Sequence, residues 1–354
     1  MSLLSKSKSL VGLDITATSV KLLELKEVKK KELKVVSYTV EPLPANAVDE
    51  KNLQDVEAVG DAIRRAVKRS GTRTKNCAVA VPSAMVITKV IQMPSDLKDH
   101  EMEAQIQLEA DQYIPYALEE VNLDFHVIGE SPNAMGMVDV LLAASRSENV
   151  EDRTAAAEIG GMNVKVVDIE PYTMESAFSL IGHQLPDAGE DQTVAILDIG
   201  ASMTSLCVLR DQKLIYTREQ PFGGKQLTEE IMRRYGLSYE DAGRVKRVGG
   251  LPDNYEPEVL EPFRDLMVQQ ANRFLQFFFS ADKNDYVDQI VLAGGSTGIP
   301  GVAELIEQRI GTPTILADPF AEMSGASDIP QQRLLDDGPA MMIACGLAMR
   351  GTSQ

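Results

Sequence analysis

Two aspartates, Asp14 and Asp198, each close an apolar segment and stand immediately before a turn of small and hydroxyl residues. Laid on itself at a shift of 184 positions, the sequence places LDITATSVKLLEL, residues 13–25, over LDIGASMTSLCVL, residues 197–209, with six of thirteen positions identical. Each copy reads as an apolar strand, a carboxylate, a turn and a second apolar strand, the pattern of a β-hairpin. Small side chains let backbone N–H groups close on a phosphate, and a carboxylate just before such a turn can hold Mg2+ or its water shell. Thr16, Ala17, Thr18 and Ser19 form the first such cradle; Gly200, Ala201 and Ser202 form the second. One hairpin of this kind is a weak signal, whereas two, half a chain apart, suit the clamping of one polyphosphate from both sides.

Other segments carry related chemistry. Gly223 and Gly224 open an amphipathic helix, which reads equally as an anion-binding N-terminus or as a simple turn and helix start. QIVLAGGSTGIPGV is an apolar strand followed by Gly294, Gly295 and Ser296, with Pro300 where a helix would begin; such bare backbone can lie against a base or ribose. A short helix carries Asp241, Arg244, Lys246 and Arg247.

The elements that must position these residues follow in a consistent order. Residues 33–40 predict a third strand ended by Pro42 and Pro44. Leu53, Val56, Ile63 and Val67 recur at helical spacing up to Gly71, and residues 77–81 (CAVAV) predict a buried strand. Residues 1–83 therefore form the first part of one half. Residues 84–163 change character to a strand, a helix with Met102, Ile106, Ala110 and Ile114 on one face, two strands and a helix, without a phosphate turn; they predict an inserted subdomain. Residues 164–192 resume the first half and end in the polar linker QLPDAGEDQ. Residues 193–335 form the second half, whose long helix from about Glu256 to Ser280 carries FLQFFFS as a buried face. Residues 336–354 hold a closing Ala/Gly-rich helix.

At 354 residues the chain predicts two or three units, and its 44% apolar and 25% charged fractions are ordinary for a globular protein. A formal charge of −18 repels phosphate backbones and argues against nucleic acid as a partner. Lys26, Lys29, Lys30 and Lys31 sit between two strands and read as a solvated hairpin tip. Cys77, Cys207 and Cys345 lack metal spacing and read as core residues of a reducing compartment. His126, among strand residues, reads as structural. Asp14 interrupts the first apolar stretch and no cleavage site follows, so secretion is not expected. No apolar run reaches the roughly 18 residues of a membrane span, so membrane attachment is expected through a partner.

Taken in order, these segments resemble the actin/Hsp70/sugar-kinase superfamily over nearly the whole chain. The resemblance implies an α/β, duplicated actin-like (ribonuclease H-like) fold that binds ATP and Mg2+. In it, Asp14 and Asp198 serve the metal, Lys21 the phosphates, and Glu170 and Asp198 water activation. Gly223 and Gly224 lie near the α/β-phosphates, residues 294–296 near adenosine, and Lys246 at the ribose or base; the terminal helix connects back to the first half. The 84–163 block is similar to the inserted subdomain of the division protein FtsA. LEADQYIPYALEEV, YTREQPFGGKQLTEEI, MVQQANRFLQFFF and LADPF resemble the type IV pilus assembly PilM family. That resemblance implies a cytoplasmic scaffold at the inner face of the bacterial inner membrane. Its partners would be the cytoplasmic N-terminal tail of PilN, other pilus platform and motor subunits, and further copies of itself, with no membrane insertion of its own. The second turn lacks the second carboxylate of vigorous ATPases, and Gly243 stands where a ribose-contacting acid is usual, so at most weak ATPase activity is expected. A filament-forming ATPase of the FtsA type and a small-molecule kinase remain as alternatives.

Overall fold

The computed structural model describes residues 9–29, 32–132, 134–281, 286–326 and 329–352. Lys30 and Lys31 of the expected hairpin tip lie outside the described residues. The chain begins with β1 (Val11–Ile15), β2 (Ser19–Lys29) and β3 (Glu32–Pro42), a miniature hairpin of β4 (Val48–Asp49) and β5 (Asn52–Leu53), then α1 (Val56–Ser70) and β6 (Asn76–Val81). Next come β7 (Val86–Pro94), α2 (Asp99–Glu109), β8 (Val121–Glu130), β9 (Met137–Arg146), α3 (Ser147–Ile159), β10 (Asn163–Ile169) and α4 (Glu170–Ile181). They are followed by β11 (Thr193–Ile199), β12 (Thr204–Arg210), β13 (Lys213–Gln220), α5 (Gly224–Tyr235), α6 (Tyr239–Val248) and α7 (Glu261–Ala281). The chain closes with β14 (Gln289–Ala293), α8 (Val302–Ile310), β15 (Thr314–Leu316), β16 (Ser324–Gly325), α9 (Gln331–Asp337) and α10 (Met342–Met349).

The internal repeat is visible as two sheets of the same order. One runs β3-β2-β1-β6-β10, with β16 added beside β3; the other runs β13-β12-β11-β14-β15. In both, the first three strands are antiparallel and the last two add in parallel. Register repeats as well: Asp14 lies opposite Lys21, and Asp198 lies opposite Ser205. The central strands β1 and β11 are apolar and buried along almost their whole length because helices cover both faces of each sheet.

Between the sheets lie α4 and α10, in one core with Leu23, Leu25 and Ala78 of the first sheet and Ile196, Cys207 and Val291 of the second. Outside the first sheet pack α1 and α3; outside the second pack α5 to α8, with Phe274 and Phe278 fully enclosed. Two glycines let α10 come this close. A Cβ on Gly12 would fall 2.3 Å from Ala344 O, and one on Gly346 would fall 2.0 Å from Thr173 O on α4. Cys77, Cys207 and Cys345 are buried and unbridged, and burial pushes each thiol up.

Strands β7, β8 and β9 form a separate antiparallel sheet of order β7-β9-β8. Met102 and Ile106 of α2 pack on its Ile91, Met93, Val140 and Leu142, and Ala110 and Ile114 continue that buried face. His126 lies exposed on β8.

One local expectation differs. Leu53 lies in β5 rather than in a helix, because Asp55 is extended and its side chain accepts from Ala58 N, starting α1 beyond it. The long helix is helical from about Glu256 as expected, but residues 256–260 form a widened turn running directly into α7, in which Glu261 N bonds Glu256 O; Pro262 has no N–H for the regular pattern. The strand β13 had too polar a sequence, KLIYTREQ, to announce itself.

Candidate functional site

The register that sets Asp14 opposite Lys21 brings their charges together: Lys21 Nζ donates to Asp14 Oδ2 at 2.9 Å, with Asp14 only 3% exposed. Burial works against the Lys21 ammonium, but Asp14, Asp198 and Glu170 outweigh it and hold the group above its ordinary value. Asp198 belongs to the other sheet, so Lys21 stands in the field of aspartates from both. Burial is also the main force pushing the Asp198 carboxyl up; Lys21 and Lys51 oppose it, while Asp14 and Glu219 add to it.

The first turn ties itself. Thr16 N and Oγ1 both donate to Ser19 O at 2.9 Å, and Thr16 Oγ1 accepts from Ser19 N and Thr18 N. Thr18 is exposed and its carbonyl accepts from Leu43 N. The amide of Ala17 has no protein partner among the described residues.

The second-half loops are knitted to one another. Gly200 O accepts from Gly224 N at 3.1 Å and from Ser296 Oγ at 2.7 Å, and Ala201 O accepts from Lys225 N at 2.7 Å. Gly224 N is shared with Ser296 Oγ, and Lys246 Nζ donates to Gly224 O at 3.0 Å and Thr228 Oγ1 at 2.8 Å. Any side chain would break this assembly: a Cβ on Gly223 would fall 2.5 Å from Gly200 O, and one on Gly294, whose φ is +93°, would fall 2.4 Å from Asp198 Oδ1. Burial, with a smaller contribution from Arg247, lowers the Lys246 pKa to about 8. Gly295 is exposed, and a Cβ there would meet only Ala340 Cβ, at 4.0 Å.

Thus Asp14, Lys21, Glu170 and Asp198 are electrostatically joined, and Gly200, Ala201, Gly223, Gly224, Lys246, Gly294 and Ser296 are joined by close approach. Among the described residues no hydrogen bond links residues 16–19 to the second-half loops. Ser296 is turned inward and occupied by the neighbouring loops instead of facing the cleft.

Lys51, Ser205 and Glu219 belong to the site although no motif marks them. Lys51, at the tip between β4 and β5, donates to Glu170 at 2.5 Å, Glu219 at 2.6 Å and Ser205 at 3.2 Å. Buried Arg153 holds that tip by donating to Lys51 O at 2.8 Å. Burial disfavours the Lys51 ammonium, yet Glu170 and Glu219 outweigh it and raise its pKa strongly. Glu170, the first residue of α4, is pushed up by burial, since one cation shared with Glu219 cannot fully compensate both carboxylates. The available signal was the repeat itself: Ser205 lies 184 positions after Lys21, so the second hairpin lacks its own lysine.

A polyphosphate with a divalent cation suits this arrangement. The Ser202 hydroxyl is buried without a partner, and the Ala201 and Ser202 amides have no protein partner among the described residues. No three His, Cys, Asp or Glu side chains form a metal cage among the described residues. That donor set fits Mg2+, which takes one or two carboxylates and completes its shell with water and phosphate oxygens.

Residues 12–352 match the family model of type IV pilus assembly protein PilM. The chain belongs to the PilM family. A solved PilM-PilN type IV pilus biogenesis complex contains a chain 27% identical, with a TM-score of 0.80, covering 98% of this chain and 99% of that one. The ethanolamine utilization protein EutJ of Carboxydothermus hydrogenoformans shares the fold at 13% identity and a TM-score of 0.55, covering 96% and 89%. Cell division protein FtsA of Enterococcus hirae is 23% identical over 352 residues, 87% of this chain and 78% of that protein. The paired sheets of this family member are the fold it shares with both of these solved structures. No helix among the described residues is long and apolar enough to cross a membrane.

Proposed function

We propose that the chain is an ATP-binding scaffold of the type IV pilus inner-membrane assembly platform. In this reading it is cytoplasmic and held at the membrane by a PilN-type partner, whose cytoplasmic N-terminal tail it binds. The observation that carries the nucleotide part is the convergence of Asp14 and Asp198, each heading a small-residue turn of a different sheet, on the single ammonium of Lys21. Asp14 and Asp198 would hold Mg2+, which supplies charge neutralisation to the phosphates. Lys21 and the Ala17, Ala201 and Ser202 amides would take phosphate oxygens; the Gly223, Gly224 and Gly294 to Ser296 backbone and Lys246 would border the nucleoside. Residues 84–163 are proposed as the inserted subdomain, with its closing helix α3 packed back on the first sheet beside α1, and 193–335 as the second half of the clamp.

Hydrolysis is proposed to be weak. Glu170, the acid available to orient water, is already bound to Lys51, and the second turn offers a hydroxyl at Ser205 where a second carboxylate would be needed. ATP then serves to fix the angle between the halves, and that setting presents a surface to partners. Calorimetric titration of the purified chain with ATP, in Mg2+ and in chelator, tests the first step; saturable, metal-dependent binding is expected. Titration with a PilN-type tail peptide, with and without ATP, tests the second. Absence of saturation at millimolar ATP, or a peptide that does not bind, would sink the corresponding half of the proposal.

A further inference from the structure

The ion cluster in the cleft also reaches the root of the inserted sheet, and the group that does so is Glu219. Its two oxygens serve different neighbours. Oε1 accepts from Lys51 Nζ at 2.6 Å and from Ser205 Oγ at 3.1 Å. Oε2 accepts from the backbone N–H of Ala84 at 3.2 Å, within the short helical turn Ser83–Met85 that leads from β6 into β7. The hydroxyls of Ser83 and Thr217, 3.4 Å apart, add a weaker tie between that turn and β13. The Glu219 side chain is 7% exposed, so water offers the carboxylate little replacement for Lys51 or Ser205, while the Ala84 end of its third bond lies at the surface.

We propose that Glu219 is a positioning residue that couples entry of a metal-polyphosphate ligand into the cleft to the seating of the inserted β7-β9-β8 sheet. The inference rests on the nucleotide reading above. Asp198 lies in the fields of both Lys51 and Glu219. A phosphate brought beside Asp198 attracts Lys51 away from Glu219, and a divalent cation relieves the acids of their need for it. Without Lys51, Oε1 is held by Ser205 alone and the carboxylate is freer to rotate; because it is planar and rigid, any turn of Oε1 also turns Oε2 away from Ala84. The connection from β13 to the root of the insertion is polar, and each tie shifts an equilibrium by roughly tenfold, within reach of one ligand's differential affinity for two settings.

The test is hydrogen exchange of residues 83–94 in the full chain, with ATP and Mg2+ as probes and ATP binding measured by titration on the same samples. In the parent, ligand changes exchange of this segment severalfold. Glu219→Gln keeps one oxygen, which can still accept from Ala84 N while its NH2 donates to Ser205 Oγ, but it loses the charge that holds Lys51; it retains the parent's ligand-free exchange within about twofold and loses most of the ligand response. Glu219→Ala exchanges at Ala84 about tenfold faster without ligand and also lacks the response. If the parent binds ATP and exchange of residues 83–94 does not move, or if Glu219→Gln responds as the parent does, the coupling is overturned while the nucleotide reading stands. If the parent binds no ATP, the titration shows that the nucleotide reading itself has failed, and the coupling with it.

Discussion

Replacing Gly346 by alanine puts a methyl into the contact that seats α10 against α4. The new Cβ would stand 2.0 Å from Thr173 O, 2.6 Å from Thr173 C and 2.8 Å from Thr173 Cα, all backbone atoms that no rotamer change can move. An ordinary contact begins near 3.4 Å, so α10 must withdraw by roughly 1.4 Å. Withdrawal loosens Met342, Cys345, Leu347 and Ala348, all fully enclosed in the core shared by the two sheets. Overpacking of this kind costs about 3 kcal/mol or more, from which about 1 kcal/mol of helix propensity is recovered. With about 2.1 cal/mol/K of unfolding entropy per residue, the net loss lowers Tm by about 3 °C. The same substitution at Gly243, in α6 with nothing within 4 Å of its Cβ and no positive φ, keeps only the propensity gain and raises Tm by about 1 °C. Scanning calorimetry of the two variants beside the parent provides the measurement. A Gly346→Ala protein that melts with the parent, or a Gly243→Ala protein that loses as much as Gly346→Ala, would refute the claim that bare backbone is needed where α10 meets α4.

Lys246 has a native pKa of about 8 against 10.5 ordinarily, so between those values the unfolded chain keeps a proton that the native chain has lost; stability rises with pH in that window, and the rise is absent from Lys246→Met when denaturant midpoints are compared from pH 7.5 to 10. Burial pushes the Glu41 carboxyl up, but Arg65 and Arg69 outweigh it and hold it below 4.5; its stabilisation is therefore present above that pH and lost as pH falls through the native value, so the gap between parent and Glu41→Gln narrows on acidification. Lys21→Met removes the charged partner proposed for phosphate and leaves Asp14 unpaired; ATP affinity falls by about tenfold to a hundredfold in calorimetric titration, and an unchanged affinity would show that nucleotide does not engage this lysine.

The duplicated sheets were legible because a hairpin writes itself locally: an apolar run, a turn and a second apolar run set their own register, and the same register recurs at a shift of 184. The glycine-bearing loops were legible for the same reason, but not what their side chains do. The Gly-Gly-Ser of residues 294–296 fits a ligand contact or a staple equally, and the hydroxyl of Ser296 is taken by Gly200 and Gly224, more than seventy positions away. Lys51 shows why the remainder of the site was hidden. Its neighbours, Asp49, Glu50 and Asn52, are polar and form no motif, and the groups that give it a role lie 119, 154 and 168 positions away. Only the repeat contains a trace of it. Where the first hairpin pairs Lys21 with Asp14, the second pairs Ser205 with Asp198 and lays Glu219 beside Ser205, leaving an acidic place without a cation of its own. A lysine from the first half fills that place, so the divergence of the two copies at one position adds an ionic tie across the cleft to the apolar core that the two sheets already share.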